Sequence, residues 1–77
     1  MAKANRKGMR FTVEIEREDD GRWIAEVMDL PGVMAYGPTR KEALASAEAL
    51  ALRVLADRLE HGETAAEHFT VAFEAPA

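Results

Sequence analysis

Cysteine is absent from these 77 residues, so neither a disulfide framework nor a thiolate zinc site can form. Long apolar runs are missing too, and nothing approaches the roughly 20 residues that cross a bilayer. The early charges Lys3, Arg6, Lys7 and Arg10 are not followed by the apolar stretch of a signal peptide. A soluble, cytoplasmic protein is therefore expected. Histidine is scarce, with only His61 and His68, and no further ligands stand ready to complete a metal site. The five glycines are dispersed rather than gathered in a phosphate-binding loop, and Ser46 falls mid-helix rather than on a nucleophile elbow. No catalytic residue, metal or cofactor is expected on these grounds.

What is present suffices for one small core. Hydrophobic residues make up 48% of the chain, which argues against global disorder. A core this size leaves little stability to spare, so a second subunit or a partner would support it. Charge is uneven. Four of the ten Lys and Arg precede Phe11, leaving six basic against fourteen acidic residues beyond it, net −8. Such a body repels phosphate backbones and favours basic partners, so direct DNA binding is not expected. Residues 1–8 read as a flexible basic arm and 9–75 as one domain.

Phe11, Val13 and Ile15 alternate with Thr12, Glu14 and Glu16, which predicts a strand from Met9 to Glu18 with one buried face. Asp20-Gly21 is a hairpin signal, since both positions of a two-residue turn tolerate positive φ. The return strand runs from about Arg22 to Met28, with Trp23, Ala25 and Val27 on one face. Asp29-Leu30-Pro31-Gly32 predicts a tight loop, and Val33–Tyr36 a short third strand. Thr39 and Glu42 form a capping box, with the Glu42 carboxylate expected on the Thr39 amide. The helix it opens should end near His61, with Gly62 as its left-handed stop. A polar connection over 63–67 leads to a last strand, His68–Glu74, and a frayed end.

The predicted fold class is α+β, in the order βββαβ. It is a four-stranded mixed sheet of order 3-2-1-4, with one long helix packed on one face. Ala43, Leu44, Ala47, Leu50, Ala51, Val54 and Leu55 form the stripe for the sheet, and Glu42, Ser46, Arg53, Asp57 and Glu60 lie toward solvent. A second apolar flank of Ala45, Leu52, Ala56 and Leu59 is more than one sheet requires. It is covered either by the chain after Gly62 or by another polypeptide, which is a partner or a second subunit of a dimer or tetramer. The sheet face away from the helix should carry Thr12, Glu14, Glu16, Ile24, Glu26 and Met28, with Tyr36 or Met34 nearby. Acids mixed with Ile, Met and Tyr suit a basic protein partner; ordinary solvated alternation is the other reading.

The Asp20-Gly21 hairpin, the loop Asp29-Leu30-Pro31-Gly32-Val33, and Gly37-Pro38-Thr39-Arg40-Lys41-Glu42-Ala43-Leu44 together resemble the HicB-like antitoxin family over about Phe11–Gly62. The family pattern is Pro-Asp-Leu-Pro-Gly, then Gly-Asp-Thr with Glu-Ala following. Met28 stands in place of its Pro, and Pro38 in place of its Asp. The resemblance implies a partial ribonuclease H-like fold and self-association. It also implies an antitoxin that binds and masks a small basic RNA-cleaving toxin. No DNA-binding domain is expected after the last strand. Two alternatives stand beside this: an orphan self-associating structural domain, and a metal-dependent nuclease using Glu14 and Glu16, for which converging carboxylates are lacking.

Overall fold

The computed structural model describes residues 7–63 and 69–75. Residues 1–6 of the expected arm, residues 64–67 of the connection, His68 and the last two residues lie outside them. The elements are β1 (Lys7–Arg17), β2 (Trp23–Val27), β3 (Met34–Gly37), α1 (Arg40–Glu60) and β4 (Phe69–Glu74). They form one mixed sheet of order β3-β2-β1-β4, an α+β fold with α1 on one face. The crossover through α1 brings β4 alongside β1 in parallel, while β1–β2 and β2–β3 are antiparallel. β1 begins two residues before the expected Met9, so Lys7 and Gly8 belong to the sheet.

Alternation sorts each strand into two faces. Phe11, Val13, Ala25 and Val27 face α1 and are buried, with Met9, Ile15, Trp23, Ala35, Val71 and Phe73 packed at the margin. The Phe11 and Phe73 rings meet at a centroid distance of 5.7 Å across the parallel pair. On the helix, Ala43, Ala47 and Ala51 have no exposed surface, and Leu55 is buried beyond them. Their spacing of four places these alanines in one row. Methyl-sized side chains let the helix backbone settle close to the sheet. Gly37 makes that approach possible, because a Cβ there would lie 2.6 Å from the Ala43 nitrogen. That Cβ would also be 3.0 Å from both Ala43 Cα and the Glu42 carbonyl carbon.

The turns follow local chemistry. The first hairpin differs from the expected two-residue turn, since among the described residues none but glycine has positive φ. Gly21 donates its amide to the Glu18 carbonyl and alone takes φ of 93°, and the Glu18 amide bonds back to Arg22 O. Asp19-Asp20-Gly21 is thus a three-residue loop, in which a left-handed glycine matches the strand twist. In the second loop the Val33 amide donates to Leu30 O, with Pro31 and Gly32 between them and Gly32 at φ 82°. That is the type II arrangement, which needs positive φ at its third residue. Leu30 and Val33 turn inward and are buried.

The helix ends are closed as well. The Thr39 hydroxyl accepts from the Glu42 amide at 3.1 Å and donates to the Glu42 carboxylate at 3.4 Å. The carboxylate thus meets the hydroxyl, where the capping box predicted the Thr39 amide. At the other end Gly62, at φ 73°, donates to Leu59 O and Glu63 donates to Arg58 O. This pair of bonds is a Schellman stop. His61 caps the helix with Nδ1 2.8 Å from the Asp57 carbonyl.

Candidate functional site

With α1 on one side of a single sheet, the opposite face is built from the alternate residues of the same strands. Register fixes their neighbours: Glu14 lies directly across from Glu26, Glu16 from Ile24, Ile24 from Tyr36, and Glu26 from Met34. Met28 continues this register past the end of β2, donating its amide to Thr12 O. The result is an acidic strip of Glu14, Glu16 and Glu26 bordered by Ile24, Met28, Met34 and Tyr36. Of the four large hydrophobic residues exposed among the described residues, three are Met28 (47%), Met34 (40%) and Tyr36 (46%). All three sit on this face.

Basic groups frame the strip. Beyond its β4 side, Arg10 bonds Glu74 at 2.8 Å, both well exposed. Beyond its β3 side the Arg22 guanidinium lies 4.5 Å from the Tyr36 ring centroid, a cation–π stack. Arg22 Nε also reaches Asp20 at 2.8 Å. The Asp20 carboxyl is held below its ordinary value, chiefly by the hydrogen bond from the Arg22 amide; desolvation opposes this, and the Arg22 guanidinium adds to the lowering. Tyr36 is thereby held in a defined orientation while remaining half open to solvent.

All six residues expected to meet a partner, Glu14, Glu16, Ile24, Glu26, Met28 and Tyr36, are brought together here. Met34 joins them, because it shares the parity of Tyr36 on β3; strand phase alone carried that signal. Arg22 is the other member the sequence did not single out. The signature loop Asp29, Leu30, Pro31 and Gly32 serves folding instead. Leu30 fills the core, Pro31 and Gly32 make the turn, and the Asp29 carboxylate accepts the Thr12 amide at 2.7 Å. Asp29 stands where the next β2 carbonyl would continue the ladder. On the helix, Ala45, Leu52 and Ala56 are exposed and Leu59 is half-buried. Among the described residues no three His, Asp or Glu side chains converge to hold a metal. No helix among them is long and apolar enough to cross a membrane.

No protein-family model and no solved structure matches this chain. A curated protein does. The UPF0150 protein Ta0767 of Thermoplasma acidophilum is 44% identical over 36 residues, covering 47% of this chain and 52% of that protein. The chain therefore matches about half the length of this relative, whose name states no activity.

Proposed function

We propose that this chain is a non-catalytic, cytoplasmic protein-binding module of the HicB-like antitoxin kind, whose acidic outer sheet face receives a small basic, RNA-cleaving toxin. The observation that carries the reading is the pairing of Glu14 with Glu26 amid exposed Met28, Met34 and Tyr36. Like charges directly opposed across two strands weaken a sheet. A face that spends stability on repulsion, and leaves methionine and tyrosine in water, is better suited to a partner than to the fold alone. Methionine adapts its shape to a partner, tyrosine anchors it, and carboxylates steer a basic surface into place. The likeness of the hairpin, loop and helix-opening motifs to HicB-like antitoxins supplies the partner's class.

The test is recovery of the tagged full chain from its native cells. A small basic protein should co-purify, and Glu14→Lys with Glu26→Lys should abolish its recovery while the far-UV spectrum is retained. Recovery of the same complex by that double variant would remove the outer face from the account. A self-associating domain without a toxin is the second reading, favoured by the exposure of Leu52 on the helix.

A further inference from the structure

We infer that Met28 and Met34 form a reversible oxidation site, at which hydrogen peroxide converts both thioethers to sulfoxides and thereby closes the outer sheet face to its partner. The inference rests on the reading of that face as a docking surface and adds its regulation. The chain contains no cysteine, so its sulfur chemistry belongs to its four methionines. Met28 and Met34 are exposed, whereas Met9 is half-buried against the core on the helix side. Met1 lies outside the described residues. Met34 stands opposite Glu26, and Met28 follows Glu26 on the same face, opposite Thr12. The two thioether side chains are therefore diagonal neighbours, at a spacing of about 7 Å. Neither serves the fold through its side chain. Both lie outside the core cluster, and Met28 contributes to the sheet by its backbone amide, which donates to Thr12 O. Exposed strand positions favour β-branched and aromatic residues, a preference that methionine does not share.

In the free chain a sulfur lone pair attacks one peroxide oxygen. The O–O bond breaks, an S–O bond forms, and the other oxygen leaves as water. The sulfur loses two electrons and the peroxide gains them. A flexible apolar side chain becomes a polar one that carries an acceptor oxygen. Docking must then bury two sulfoxides against apolar partner surface, at a cost of about tenfold in affinity for each one left unpaired. Methionine sulfoxide reductases reverse the step: the oxygen leaves as water and a dithiol becomes a disulfide. A docked partner covers both sulfurs, so the free chain responds to peroxide and the complex resists it.

Peroxide treatment of the full chain, followed by mass spectrometry of its peptides, reads the site without any partner. Met28 and Met34 should each gain one oxygen at least about threefold faster than Met9, with the far-UV spectrum retained. Oxidation no faster than at Met9, or unfolding as the two oxidise, would overturn the site. Capture of the basic protein from native cells, by tagged chain oxidised and then freed of peroxide, reads the consequence. Recovery should fall about tenfold or more. Treatment with the two methionine sulfoxide reductases, one for each epimer, and dithiothreitol should restore it. Met28→Leu with Met34→Leu should capture the protein whether or not it has met peroxide. Undiminished capture by the oxidised chain, or an equal loss in the double leucine variant, overturns the switch alone. No capture by the untreated chain overturns the partner reading on which the switch stands.

Discussion

Replacing Glu14 with Gln should stabilise the protein, and the gain can be worked from the register. Glu14 faces Glu26 across β1 and β2, so their Cβ atoms stand about 5 Å apart and their carboxylates can spread to about 6 Å. Two unit charges at that distance in water repel by about 0.7 kcal/mol. At about 10 mM salt the screening length is long and about 0.6 kcal/mol survives; at physiological ionic strength about 0.3 kcal/mol does. Gln keeps the size and hydrogen-bonding reach of Glu, so the change isolates the charge. In a domain this small about 0.6 kcal/mol moves the melting temperature by roughly 2–5 °C. Thermal and urea unfolding followed by circular dichroism at low and at near-molar salt would read it. A double-mutant cycle with Glu26→Gln should give a coupling that shrinks as salt is added. A loss of stability at low salt, or a coupling indifferent to salt, would refute the claim that these carboxylates strain the sheet. The same substitution should weaken capture of a basic partner, so stability and binding move in opposite directions.

Gly37→Ala should cost about 2 kcal/mol, because the new Cβ meets backbone atoms of Ala43 and Glu42 that no side-chain rotation can clear. Gly8→Ala is the control for that melt, since its Cβ would find only the Thr70 hydroxyl at an ordinary 3.5 Å; equal melting of the two would contradict the close approach. Asp29→Ala should cost about 1 kcal/mol and speed amide exchange at Thr12, whereas Asp29→Asn keeps an acceptor and most of the stability. Should Asp29→Ala leave stability untouched while partner capture falls, the loop would belong to the binding surface instead.

Much of this architecture was legible before any coordinates. Period-two alternation places Phe11, Val13 and Ile15 on the core side, and an uninterrupted run from Arg40 to His61 marks the helix. A crossover through the helix then makes β4 parallel to a neighbour, most naturally β1, as the register shows. The apolar stripe from Ala43 to Leu55 and the solvent side from Glu42 to Glu60 fall where helical periodicity puts them. Less legible were features that depend on two segments meeting. Gly37 reads in the sequence as a strand terminator, and only its distance to Ala43 shows that it admits the helix. Asp29 reads as a turn residue, yet its partner Thr12 is seventeen positions away. The hairpin could close in more than one way, because Asp-Gly serves both two-residue and three-residue loops. Met34 was left an alternative to Tyr36, whereas the β2–β3 register shows that both face outward.

The most direct test of the outer face as a docking surface uses methionine methyl NMR. Met28 and Met34 lie on that face, and Met9 packs on the core side as an internal reference. Titrating in the purified basic partner should shift and broaden the Met28 and Met34 methyl signals while Met9 and the Leu52 methyls stay in place. Shifts confined to Leu52 and Leu59, with Met28 and Met34 unmoved, would contradict the account.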